Sequence, residues 1–65
     1  MNAVEQLRMA RSEQRRLQAE IDWAMNVADL NPQVRVGYVN DRLWRVERCA
    51  QIIRTCRVYA RLRLE

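Results

Sequence analysis

The side chains best suited to nucleophilic or metal chemistry are the thiols of Cys49 and Cys56. Their seven-residue separation corresponds to a rise of about 10.5 Å on a helix, which is too long for a disulfide between them. The sequence has no histidine, so the commonest general base and the commonest metal ligand are absent. Two thiols without a second Cys pair or a histidine do not form a zinc site. We therefore expect buried core cysteines, with an intermolecular disulfide as the alternative.

No other combination of residues in the sequence predicts catalysis. It contains no Ser-His-Asp set, no motif of paired carboxylates and no glycine-rich phosphate loop. A chain of 65 residues buries only ~60% of its unfolded surface, and this leaves no room for a ligand pocket of ~300 Å³. We expect a single-domain, non-enzymatic protein without a cofactor or a metal.

Pro32 and Gly37, the one proline and the one glycine, divide a chain that otherwise has the pattern of helices. We predict helix 1 over about 2–30, a turn at about 30–32 and helix 2 over about 32–63. Asn31 is a good N-cap for a helix that begins with proline. The alternative is a loop over 31–38 with helix 2 starting near Asn40, because valine and glycine disfavour the helix there.

Apolar residues recur at alternating steps of three and four in both segments, which is a heptad pattern. The predicted stripe of helix 1 is Ala3, Leu7, Ala10, Gln14, Leu17, Ile21, Ala24 and Ala28. The predicted stripe of helix 2 is Val36, Val39, Leu43, Val46, Ala50, Ile53, Arg57, Ala60 and Leu64. Two such stripes joined by a break predict an all-α fold, an antiparallel two-helix hairpin in which positions summing to about 63 face each other.

Helix 2 carries more apolar surface than one neighbouring helix covers. A second stripe at three-four spacing lies beside the first and contains Cys49, Ile52, Cys56 and Tyr59. An arc this wide needs more than one partner helix, so we expect a homodimer that forms a four-helix bundle. A monomer with an apolar face and a bundle with another protein are the alternatives. The expected core and dimer residues are Leu7, Leu17, Ile21, Leu43, Val46, Cys49, Ile52, Ile53 and Cys56.

The two tryptophans lie off both predicted stripes. Trp23 forms a patch with Val27 and Leu30 on the far side of helix 1, and Trp44 points away from the stripe of helix 2. Tryptophan is enriched at binding hot spots. These positions predict a surface that docks a protein partner, with self-association as the alternative role.

All twelve basic residues are arginines, and residues 31–65 hold eight of them against three acids. This excess of positive charge favours binding to an acidic protein surface or to nucleic acid. Because the arginines are interleaved with apolar residues, a protein partner is favoured over nucleic acid; a solvated helix face is the alternative. The expected partner-binding residues are Trp23, Val27, Leu30, Trp44, Arg54, Val58, Tyr59, Arg61 and Leu62.

The sequence has no run of ~20 apolar residues that would span a membrane, and its first ten residues are too polar for a signal peptide. We therefore expect a protein of the reducing cytoplasm.

The alternation of small and large residues along these stripes resembles Rop, a plasmid RNA-binding protein that is a dimer of helical hairpins. In size, helical character and arginine-only basicity the chain resembles phage-encoded anti-activators, which inhibit quorum-sensing regulators. The second resemblance implies an inhibitor or modulator of a larger regulatory protein. Rop-like RNA binding and a co-chaperone or assembly factor of a secretion system are the alternatives.

Overall fold

The computed structural model describes the backbone of residues 2–64 and the side chains of residues 2–62. Helix α1 spans Ala3–Asn26 and helix α2 spans Pro32–Leu64, with 24 and 33 residues. The two helices pack against each other, so the described part of the chain is an all-helical hairpin.

Helix α1 begins with a side-chain cap. The Asn2 backbone is extended, and its side-chain oxygen accepts a hydrogen bond from the Glu5 amide at 2.8 Å. This bond satisfies one of the amides that the first turn of a helix leaves unpaired. The carboxylate of Glu5 in the same turn adds a favourable interaction with the helix dipole.

Helix α1 ends at Asn26, four residues before the predicted end at position 30. The amides of Val27 and Ala28 both bond the Trp23 carbonyl, which closes the last turn. Asn31 precedes Pro32, and a residue before proline is disfavoured in the helical region. The chain crosses to α2 over residues 28–31, and Asn31 lies outside both helices.

Helix α2 begins at Pro32, the earlier of the two starts considered from the sequence. The Asn31 side chain accepts a hydrogen bond from the Gln33 amide at 2.9 Å, and its carbonyl accepts one from the Arg35 amide. Proline at the first helical position loses nothing, because that amide has no partner within a helix. These two features outweigh the low helix propensity of the residues that follow.

Contacts between the helices show that the hairpin is antiparallel. The Cys56 thiol lies 3.8 Å from the Gln6 amide oxygen near the open end. Arg42 bonds Glu20 nearer the turn, and next to the turn the tilted rings of Tyr38 and Trp23 pack against each other. These facing positions sum to 61 or 62, one or two below the predicted register.

The stripe of α1 that faces α2 is the predicted one. Leu17 and Ala24 are fully buried, and Ala10 and Ile21 are nearly so. The remaining positions of the stripe are partly covered: Ala3, Leu7, Gln14 and Ala28. Small alanines at four of these eight positions allow close approach of α2.

The stripe of α2 differs from the prediction at every second position. Ile53, Val39, Val46 and Ala60 face α1 as expected, but the intervening positions are one residue earlier. The residues of the observed contact stripe are Arg35, Val39, Arg42, Val46, Cys49, Ile53, Cys56 and Ala60. The predicted members Val36, Leu43 and Arg57 are exposed. Both cysteines therefore belong to the contact with α1.

Gly37 in α2 lies at a position where a residue with a side chain would fit. Gly37 has helical backbone geometry, and a Cβ built there meets nothing within 4 Å. Glycine within a helix costs about 1 kcal/mol relative to alanine. We expect Gly37→Ala to raise the thermal midpoint by roughly 4–8 °C, measured by circular dichroism; an unchanged or lower midpoint would show that α2 is not a continuous helix there.

Candidate interaction surfaces

The hairpin exposes more surface than a compact protein of its mass. Its accessible area is 5403 Å² for 7.8 kDa, whereas a typical folded monomer of this mass exposes ~4,400 Å². The radius of gyration is 14.9 Å, against ~11 Å for a compact domain of this length. The excess of about 1,000 Å² is close to the area that one partner contributes to a standard interface.

One side of α2 has three apolar residues that α1 does not fully cover, interleaved with Asn40, Glu47 and Arg54. Val36, Leu43 and Ala50 recur every seven residues, so they lie on one face directly beside the contact stripe. Leu43 is 48% exposed and Val36 is exposed, while Ala50 is partly covered. On α1, the exposed Met25 lies about 200° around the helix from Trp23. We call this face, with Met25, Val36, Leu43 and Ala50, the open side.

The opposite face carries an aromatic and arginine cluster. The rings of Trp23 and Tyr38 are 5.7 Å apart and inclined at 57°, and the guanidinium carbon of Arg42 lies 3.3 Å from the Tyr38 ring centre. Aromatic and cation–π contacts of this kind each contribute about 1 kcal/mol. Trp23 is 46% exposed, so part of the ring joins the two helices and part of it faces solvent. We call this face the aromatic side.

An ionic network extends the aromatic side along α1. Arg42 bonds Glu20 at 3.3 Å, and Arg16 bonds both Glu20 and Glu13. The hydrogen bond from Arg16 holds the pKa of the Glu13 carboxyl below its ordinary value. The stabilisation that this ion pair gives to the folded protein is therefore present above the ordinary carboxyl pKa. It is lost as the pH falls through the lowered pKa of Glu13. Arg42 also donates to the Tyr38 carbonyl of its own helix, so its bond to Glu20 is the contact by which this network joins α2 to α1.

Sequence patterns did not identify Tyr38, Arg42 or Glu20 as a cluster. Tyr38 and Arg42 are four residues apart, the spacing at which side chains meet on a helix. That spacing was the sequence feature from which contact between these two side chains could have been predicted. Pairing with Glu20 required the correct register between the helices.

Trp44 is the most exposed aromatic residue of the described part of the chain, at 75%. It lies in a shallow depression lined by residues of α2 alone: Asn40, Leu43, Glu47, Arg48 and Gln51. Among the described residues, α1 contributes nothing to this depression. Trp44 therefore does not pack between the two helices.

The predicted patch around Trp23 is looser than the sequence suggested. Val27 is largely exposed but lies just beyond the end of α1, and Leu30 is partly covered in the crossing segment. The helical spacing that would align them with Trp23 therefore stops at Asn26. Near the other end, Val58, Tyr59 and Leu62 are all exposed. The structure does not bring these two groups together.

Three arginines near the end of α2 share one face of the helix. Arg54, Arg57 and Arg61 follow the spacing i, i+3 and i+7. All three are exposed, and the described residues give them no ion pair. Arg57 was expected in the contact stripe and lies outside it, because Cys56 occupies that position.

The cysteines are placed as core residues of one hairpin. Cys49 and Cys56 are both free and buried against α1. Burial raises the pKa of the Cys49 thiol, and the negative charge of Glu13 raises it further. A buried, protonated thiol is a poor nucleophile and a poor redox site.

We expect both thiols to react with a disulfide reagent at neutral pH only when the hairpin opens. In the folded protein the reaction is at least tenfold slower than in denaturant, and the two rates converge as denaturant is added. Absorbance of the released chromophore measures both rates. Rapid labelling of one thiol in the folded protein would show that its position in the contact stripe is wrong.

The described residues contain no helix that is long and apolar enough to cross a membrane. Within the same part of the chain, no three metal-ligating residues cluster. Comparisons with protein families, with curated proteins and with solved structures gave no match to this chain.

Proposed function

We propose that this protein is a non-enzymatic interaction protein that dimerises and binds a larger protein, which it inhibits or modulates. The observation that carries the proposal is the surplus surface of about 1,000 Å² on an elongated hairpin. The exposed residues that make this surface unusual are large and apolar: Val36, Leu43, Trp44, Val58, Tyr59 and Leu62. Surfaces of this kind mark sites of protein association.

One region of α2 supports both roles. On the open side Val36 and Leu43 are exposed next to the contact stripe, where a second helix would cover them. Trp44 lies beside Leu43 in a depression that Glu47 and Arg48 also line. An exposed tryptophan with a charged rim matches the anatomy of a protein-binding hot spot.

The exposed arginines favour an acidic or apolar surface on the partner. Arg54 and Arg61 lie close to Val58 and Leu62 along α2, so cationic and apolar groups alternate there. The resemblance to phage-encoded anti-activators makes a host regulatory protein the first class of partner to test. In this role the hairpin acts by occupying a surface that the regulator needs.

The proposal is tested by capture of partners from a lysate of the native host, with the wild-type chain as bait and mass spectrometry as readout. We expect one protein to be retained in a stoichiometric amount and to remain bound at high salt, because an apolar interface depends weakly on ionic strength. RNA bound at low salt and released steeply as salt rises would support the nucleic-acid alternative instead. If the bait retains neither a protein nor RNA, the proposal is contradicted.

A further inference from the structure

We infer that six exposed arginines on the open side form a band that binds the phosphate backbone of double-stranded DNA. The inference adds a second ligand to the proposed protein partner. It is tested with the purified chain and nucleic acid alone, so its failure would leave the protein-binding proposal intact. The six arginines come from both helices: Arg8, Arg11 and Arg15 from α1, and Arg54, Arg57 and Arg61 from α2.

The helical repeat places all six arginines on the same side of the hairpin. Arg11 directly follows the buried Ala10 of the contact stripe, and Arg57 directly follows the buried Cys56. The other four arginines lie three residues before or four residues after one of these two, which is the spacing of neighbours on one helix face. Glu20, on the aromatic side, instead precedes a buried position. The interleaving of arginines with apolar residues, which favoured a protein partner, thus resolves into one basic face that spans both helices.

The antiparallel register joins the two rows of arginines into one continuous band. Facing positions sum to 62 at two contacts between the helices, so Arg8 lies beside Arg54. From this point the α1 row runs towards the turn and the α2 row runs towards the free ends. Since Arg15 faces position 47 of α2, the band extends from the level of residue 47 to that of residue 61, a length of about 21 Å.

The positive charge of the band is not neutralised by the described part of the chain. On the aromatic side Arg16 pairs with Glu20 and Arg45 pairs with Asp41, whereas none of the ion pairs between described residues includes an arginine of the band. Carboxylates at positions 5 and 47 border the band, so six positive charges against two leave a net charge of +4. Guanidinium groups stay protonated in proteins, so this charge persists at any physiological pH.

The length and composition of the band fit a DNA duplex. Duplex DNA carries one negative charge per ~1.7 Å of its axis, so a length of about 21 Å holds about twelve phosphates, and about half of them face one side. This number matches the six arginines. Surfaces that bind DNA are much more positively charged than those that bind proteins. No aromatic residue of the described chain lies within the band, so it lacks the rings on which single-stranded bases stack.

The band is tested by fluorescence anisotropy of a labelled DNA duplex titrated with the purified chain. The association constant is expected to fall with salt, with a log–log slope of about −3 to −5 between about 50 and 200 mM, because each phosphate contact contributes about −0.9. Arg11→Gln combined with Arg57→Gln should make this slope shallower by about 1.8 and weaken binding at least about tenfold at ~100 mM salt. Arg8→Gln combined with Arg54→Gln, the pair that lies side by side, should have the same effect. No binding by the wild-type chain at the lowest salt would overturn the inference.

The matched control removes the same number of charges from the aromatic side. Arg16→Gln combined with Arg45→Gln changes one arginine of each helix, and their side chains are 57% and 56% exposed. The hairpin is 14 to 17 Å thick, which exceeds the Debye length of ~10 Å at 0.1 M salt. We therefore expect less than about a threefold change in affinity, with helicity checked by circular dichroism. Equal losses in the two double variants would show that net charge alone governs binding, and the band would be refuted.

Two competitors distinguish DNA from other polyanions. Poly-L-glutamate has one charge per ~3.5 Å when extended, about half the linear density of the duplex, so it should displace the DNA at least about tenfold less well at equal total charge. Equal displacement would instead assign the band to an acidic protein. An RNA duplex of the same sequence should bind no more tightly than DNA, because the band offers guanidinium groups only and nothing that selects 2′-hydroxyls. RNA bound about tenfold more tightly than DNA would overturn the choice of DNA.

Discussion

Ile53→Asp abolishes most of the helical circular dichroism of this protein at 25 °C. Ile53 is 8% exposed and lies in the contact stripe of α2. The variant buries a carboxylate that no cation is placed to pair, at a cost of roughly 3–5 kcal/mol. A hairpin of this size has little stability to lose.

The neighbouring isoleucine provides the matched control. Ile52 is 38% exposed on the aromatic side, so an aspartate there remains in water and leaves the helical signal within about a tenth of wild type. The two variants change adjacent residues of the same type to the same charge. Equal loss of signal in both would mean that burial against α1 does not distinguish these positions, and the observed contact stripe would be wrong.

Trp44→Ala weakens binding to the captured partner by about 30-fold or more and leaves the hairpin folded. Trp44 touches only residues of α2 and is 75% exposed, so its loss changes the free energy of unfolding by less than ~0.5 kcal/mol. A tryptophan at the centre of an interface contributes ~2 kcal/mol or more to binding. Isothermal calorimetry with the purified partner measures the affinity, and denaturant titration measures the stability.

Met9→Ala is the control for that experiment. Met9 is also an exposed apolar residue, but it lies on α1, whereas the depression that holds Trp44 is lined by α2 alone. We expect its loss to change affinity by less than about threefold. Unchanged affinity in Trp44→Ala would remove this tryptophan from the binding surface. Loss of helical structure in that variant would instead mean that Trp44 is part of the fold.

The fold of α1 followed closely from its sequence. The stripe from Leu7 to Ala24 met the spacing of a heptad, with Gln14 as its one polar member. Since most of the remaining positions in α1 are polar, the burial of a single stripe was the available solution. The hairpin class followed from the two stripes and from the breakers between them.

The contact stripe of α2 could not be derived from apolarity alone. Where the two phases differ, the predicted one has Val36, Leu43, Ala50 and Arg57 and the observed one has Arg35, Arg42, Cys49 and Cys56, so a count of apolar residues favours the wrong phase. The observed phase puts Arg35 and Arg42 in contact with α1 and leaves Leu43 exposed. Arginine enters such a position because its stem packs while its head finds a polar partner. For Arg42 that partner is Glu20, which lies on the other helix.

The candidate surfaces were predictable only in part. The exposure of Trp44 followed from its position off the stripe, but the stacking of Trp23 on Tyr38 depended on the early end of α1 and the course of the turn. A heptad pattern specifies which faces are apolar. It does not specify which of two apolar faces meets the neighbouring helix of the same chain.

A single hairpin cannot bury all of its own apolar surface, so the chain is expected to dimerise. Multi-angle light scattering at roughly 100 µM, where a dimer with a Kd of ~1 µM is nearly fully formed, tests it most directly. We predict a molar mass about twice the 7.8 kDa of one chain, together with full helicity. A mass of one chain, with the helices intact, would contradict the account.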